Sequence, residues 1–181
     1  MPEQNKSRRR SQAPIDPTYG HLQPQALDIE KVVLGALMID KDAFSVVSEM
    51  LQPETFYEPR NQKVFRAVQK LNLDEQPVDI LTVTNELEKE GVIDEIGGPA
   101  YVVDLTANVA SSANIVAHAK ILQQKYTARQ LISIASKIET AAMDPMVDTD
   151  ELMQEAEGML YEVSQKNMKQ EYTQIDPVIR Q

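Results

Sequence analysis

Side chains able to do chemistry are few in this chain, and their spacing does not suit most reactions. Its six glycines, Gly20, Gly35, Gly91, Gly97, Gly98 and Gly158, are never followed by lysine. A loop of the G-x-x-x-x-G-K-[ST] kind needs that lysine to reach the outer phosphates while backbone amides hold the inner ones. ATP binding of this type, and unaided DNA unwinding, are therefore not expected of these residues. Gly97-Gly98-Pro99 resembles a phosphate loop, but no strand precedes it, and a glycine cap before a first-turn proline explains it by chain geometry. His21 and His118 are the only histidines, no Glu-x-x-His pair occurs, and cysteine is absent, so a zinc or di-iron site is hard to build. His118 falls between Ile115 and Leu122 in helical register and reads as a half-buried packing residue. Glu86-Glu88-Glu90 and Asp94-Glu95 could bind a hard cation, yet acids two apart on a helix point apart and read as a solvated face. The expectation is no catalytic residue, no cofactor-binding residue and no metal ligand.

Composition points to interaction instead. With 42% hydrophobic residues, 181 residues bury one modest core and an appendage. No apolar run approaches membrane-spanning length, so a cytoplasmic protein is expected. The formal net charge is −10; Lys6, Arg8, Arg9 and Arg10 against Glu3 give residues 1–12 a net +3, so the rest carries −13. So acidic a body offers no clear footprint for a phosphate backbone, and protein partners are expected. Residues 1–21 read as a disordered, solvated basic leader rather than a DNA-seeking arm, because Pro2, Pro14 and Pro17 interleave with polar residues. No apolar h-region follows the arginines, which argues against a signal peptide.

Apolar periodicity then defines an all-α protein. Residues 22–126 read as a compact helical domain. Pro24 suits a first turn, and Ile29, Val33, Ala36 and Leu37 share a face, with Gly35 thinning the surface for a neighbour. Asp40 and Asp42 mark a turn before Phe44, Val47 and Leu51, and Val64, Phe65, Val68 and Leu71 repeat the pattern. The β-branched Val78–Thr84 segment alternates like a strand. A helix is preferred, with Asp79 as N-cap, Ile80, Val83 and Leu87 in register and Gly91 as the stop. Tyr101, Val102 and Leu105 mark a short helix.

Residues 127–168 read as a protruding antiparallel hairpin. Ser112–Met143 would extend about 48 Å as one straight helix, so a break or bend is expected near Thr127–Arg129. Its second half would pair with a helix over 149–168, opened by Asp148–Glu151 and carrying Leu152, Ala156, Met159, Leu160 and Val163. Bases dominate 112–143, while 148–163 has six acids and no base. Either the hairpin folds back on the core, or it pairs with a second copy in a four-helix packing. Leu131, Ile134, Leu152, Met159, Leu160 and Val163 are the candidate oligomer contacts. Asp176-Pro177-Val178-Ile179 reads as a helix start without length, so 169–181 is taken as the beginning of a truncated linker.

Five short segments, in order and spacing, then carry a resemblance. They are Ile29-Glu30-Lys31-Val32-Val33-Leu34-Gly35-Ala36-Leu37-Met38, Phe56-Tyr57, Pro77-Val78-Asp79-Ile80-Leu81-Thr82-Val83, Ile96-Gly97-Gly98-Pro99-Ala100-Tyr101 and Ala113-Asn114. Together they resemble the N-terminal collar domain of the DnaB-type bacterial replicative DNA helicase. The resemblance implies a parent enzyme that translocates on single-stranded DNA, with ATP and Mg bound in a motor domain not present here and no cofactor in this part. It also implies self-association as dimers, and as a trimer of dimers in the hexamer. The implied partners are DnaG-type primase and a helicase loader, with Tyr101, Ile132 and Ile138 on the primase-contact surface. A stand-alone helical adaptor is the alternative.

Overall fold

Leu27–Ile39 (α1) is apolar on nearly every side, and a helix of that kind is stable only when surrounded. Val33, Leu34, Ala36, Leu37 and Met38 are all buried, and α1 packs against four other helices. The computed structural model describes residues 22–107, 109 and 111–175, with side chains as far as Asn167. The globule also holds Ala43–Val47 (α2), Pro59–Leu73 (α3), Ile80–Lys89 (α4) and Pro99–Ala107 (α5), α4 packing on α3 and α5, with single 3-10 turns at Pro53–Thr55 and Asp94–Ile96. The described residues contain no strand. Phe56 and Phe65 fill the centre, their rings 4.9 Å apart.

Local signals set most helix starts. Asp79 Oδ1 accepts from the amides of Leu81 and Thr82, each at 2.9 Å, and the Thr82 hydroxyl receives the Asp79 amide at 2.9 Å. This reciprocal cap fixes Val78–Thr84 as a helix start, which turns the alternating pattern away from a strand. Gly97 and Gly98 have φ of +104° and +78°, and Pro99 begins α5. Two successive left-handed positions reverse the chain there, which β-carbons would resist. Pro24 is a correction: α1 begins at Leu27, so this proline lies before the helix rather than in its first turn.

Gly35 is where α1 and α5 touch backbone to backbone. A β-carbon at this position would overlap the Leu105 carbonyl oxygen and lie 2.6 Å from Val109 Cγ2.

The acidic face of α4 is a second correction. Glu86 is only 5% exposed, paired with Lys70 of α3 and with Lys89 at 3.6 Å, while Lys70 also reaches Glu90 at 3.2 Å. The Lys70 hydrogen bond holds the Glu86 carboxyl below the ordinary carboxylate range. One acid of the expected solvated face thus fastens α4 to α3.

Two long helices leave this globule. Ile115–Ala142 (α6) contributes Ile115, Ala119 and Leu122 to the core and then projects, paired with Thr149–Ile175 (α7). The expected break at Thr127–Arg129 is absent: α6 is continuous across it, spanning about 42 Å. Its outer half needs no globule to cover because α7 covers it. Asp148 Oδ1 caps α7 through the amides of Asp150 and Glu151 at 2.9 and 3.1 Å. The second arm outruns the expected limit at Met168 and continues to Ile175. The leader with His21, and the helix start at Asp176, lie outside the described residues.

Candidate functional site

The hairpin has an inner seam and two unlike outer sides. Ile134, Leu152 and Val163 are buried between its arms, and Met159 is half-buried beside them. At about 100° per residue, Leu131, Ala135 and Ala142 stand some 60–100° round α6 from Ile134, while Leu160 and Met153 stand some 80–100° round α7 from Leu152. The arms are antiparallel, so both groups fall on one side. Leu131 is 44%, Leu160 46% and Met153 59% exposed, a concentration of bare apolar surface. On the opposite side, Gln130, Ser133, Lys137, Glu162 and Lys166, with Ile134, Met159 and Val163, line a groove of about 230 Å³. Of the six oligomer-contact residues, Leu131 and Leu160 thus face outward, while Ile134, Leu152 and Val163 close the hairpin itself.

The three primase-contact residues are not gathered in one patch. Tyr101 is 8% exposed, and its hydroxyl donates to Asn61 Oδ1 at 2.5 Å under the Arg60 guanidinium, which lies 4.3 Å from the ring centre. Burial pushes its phenol pKa up. Asn61 thus takes this hydroxyl within the globule. Ile132 and Ile138 are both half-buried on the projecting arm. Six residues separate them, or about 120° of rotation. Ile138 edges the apolar side, and Ile132 points away from α7.

A polar junction that sequence reasoning missed binds the hairpin's base to the globule. Arg129 Nη1 donates to the Pro24 carbonyl at 2.8 Å, and its Nη2 donates to the backbone carbonyls of Thr55 at 2.9 Å and Glu54 at 3.2 Å. The same guanidinium lies 5.6 Å from the ring centres of both Tyr57 and Tyr126. Burial lowers its pKa, while the negative charge of Glu30 works the other way. Glu30, 1% exposed on α1, accepts from the amides of Tyr57 at 2.5 Å and Glu58 at 3.3 Å and from Asn61 Nδ2 at 2.8 Å. It thereby anchors the segment that enters α3, whose own Glu58 makes no side-chain cap. The sequence signal for Glu30 was one acid inside the apolar run Ile29–Met38. For Arg129 there was only a base placed where a break was expected.

These arrangements can hold and display surfaces. Among the described residues, no three His, Cys, Asp or Glu side chains are grouped to hold a metal ion, and no helix is long and apolar enough to cross a membrane.

Known proteins share this plan. The family model for the DnaB-like helicase N-terminal domain matches residues 22–124. The chain is 35% identical over 176 residues to replicative DNA helicase DnaB of Rhodothermus marinus, covering 96% of this chain and 19% of that protein. It is 34% identical over 160 residues to replicative DNA helicase DnaC of Bacillus subtilis, covering 88% and 35% respectively. It therefore spans well under half the length of either relative. The crystal structure of the N-terminal domain of DnaB helicase from Mycobacterium tuberculosis matches with a TM-score of 0.74 at 31% identity, over 78% of this chain and 99% of that one. A DnaB-like replicative helicase, solved together with a study of its interactions with primase, shares the fold at a TM-score of 0.63 and 24% identity, over 76% and 31%. The family match runs through the whole globule, and the mycobacterial domain is matched almost end to end: the chain belongs to the DnaB-like helicase N-terminal domain family.

Proposed function

We propose that this chain organises the collar of a replicative DNA helicase by pairing hairpins, and that it presents a docking surface for primase. The apolar side of the hairpin carries the reading. Leu131, Met153 and Leu160 are exposed next to the small Ala135 and Ala142, a shape that lets a second hairpin approach closely across a two-fold axis. In the parent protein, such dimers would assemble as a trimer of dimers above a motor that binds ATP and Mg and translocates on single-stranded DNA in the cytoplasm. A helicase loader is a further partner of the same kind.

Leu160→Asp tests the pairing. Leu160 is half exposed, so the charge leaves the fold alone but must be desolvated between copies. Sedimentation across a concentration series is expected to show association in the wild type and its loss in Leu160→Asp, with helix content retained. A wild-type chain that stays monomeric at every concentration, or a variant that associates normally, sinks the pairing.

Primase docking is tested at Ile138 rather than Tyr101, whose truncation would disturb the Asn61 bond. Ile138→Ala is expected to weaken binding to the C-terminal domain of the cognate primase by about 1–2 kcal/mol, read by titration calorimetry. Unchanged affinity in the folded variant moves that surface elsewhere.

A further inference from the structure

The hairpin concentrates the chain's sulfur. Five of the eight methionines lie between Met143 and Met168, and the chain has no cysteine, so thioethers are its only sulfur reductants. Met38 and Met50 are sealed in the core at 5% and 4% exposure, whereas Met143, Met146 and Met153 are 70%, 88% and 59% exposed. Met143 and Met146 lie at the turn between the arms. Met153 is placed differently: it precedes Leu160 by seven residues on α7, two turns away on the same apolar side.

We propose that Met153 is an oxidation-controlled site through which hydrogen peroxide switches off pairing of the hairpins. This rests on the self-association reading above. The sulfur lone pair attacks the peroxide oxygen, and the S–O bond forms as the O–O bond breaks. Sulfur gives up two electrons, and the departing oxygen takes the proton and leaves as water. The product exchanges a flexible apolar side chain for one with a strong acceptor oxygen, which loses its water when a second apolar face closes over it. The thioether of Met153 is open in the single chain and covered once two hairpins pair. Pairing therefore shields Met153, and oxidation keeps an unpaired chain apart. Met146, in the turn, is open in both states and serves as an internal reference.

The test treats the 181-residue chain with hydrogen peroxide, follows each methionine by peptide mass spectrometry and follows association by sedimentation. The Met153 to Met146 oxidation ratio is expected to fall as protein concentration rises through the association range. Oxidised wild type is expected to associate at least about tenfold more weakly, because a polar group is buried, and methionine sulfoxide reductase is expected to restore it. Met153→Leu keeps the apolar bulk without the sulfur; it is expected to associate like wild type before and after peroxide, with an unchanged circular dichroism melt. Association that survives oxidation of Met153, or a Met153→Leu variant that remains peroxide-sensitive, overturns the inference while leaving pairing intact. An untreated wild type that never associates removes both.

Discussion

Glu30→Ala is expected to cost about 3 kcal/mol or more of folding stability, because it leaves buried donors without an acceptor. Its carboxylate receives two backbone amides and the Asn61 side chain, in a place where the residue is 1% exposed. Hydrogen bonds to a charged group are worth roughly 1.5–3 kcal/mol, and removing the acceptor strands the donors rather than returning them to water. The loss spreads in two directions. Asn61 also accepts the Tyr101 hydroxyl, so α3 loses part of its hold on α5. The Glu30 charge also favours the charged form of half-buried Arg129, so the hairpin's base loses support as well. Against a total domain stability of about 5–15 kcal/mol, such a change is large. Urea unfolding followed by circular dichroism checks it. Glu30→Gln keeps one oxygen but turns an amide toward the donors, and it should fall between wild type and Glu30→Ala. A Glu30→Ala midpoint matching wild type would mean that water serves the three donors as well as the carboxylate does.

Glu30 and Arg129 also mark the limit of what could be read along the chain. The caps at Asp79, Gly98 and Asp148 lie within three residues of the groups they serve, so residue type and spacing reveal them. Glu30 serves amides 27 and 28 positions away, and Arg129 serves a carbonyl 105 positions away. No local pattern shows which backbone groups will be short of a partner once the chain folds. The bond made by the Tyr101 hydroxyl is hidden for the same reason: its acceptor is 40 residues distant.

The expected break in α6 failed on a different point. It assumed that a helix can be no longer than the globule covering it, whereas α7 covers the outer half. The hairpin itself was legible as apolar stripes opposite charged ones. Sorting those stripes into inner and outer was not, because Ile134 and Leu131 are only about 60° apart on α6, and Leu152 and Leu160 about 80° apart on α7. Only the placement of the two arms shows that the first of each pair closes the hairpin and the second faces outward.

Gly35→Ala is expected to destabilise the globule even though alanine is the better helix former. The exchange gains about 1 kcal/mol of helix propensity. Against this stands a β-carbon driven into the Leu105 carbonyl oxygen and to 2.6 Å from Val109 Cγ2. Overpacking of a well-filled core costs about 1–3 kcal/mol, occasionally more. The upper part of that range applies here, because a backbone carbonyl inside α5 cannot rotate away as a side chain can. Relief requires α5 to move off α1, which opens the contact around Leu34, Leu37, Val102 and Leu105, all within 1% of full burial. The net expectation is a loss of about 2 kcal/mol, read from denaturant midpoints at constant slope. The double variant Gly35→Ala with Val109→Ala separates the two clashes. Trimming Val109 removes the side-chain overlap but leaves the carbonyl, so it should recover only part of the deficit. Full recovery would place the constraint in Val109 alone, and a Gly35→Ala variant as stable as wild type would show that α1 and α5 can part without loss.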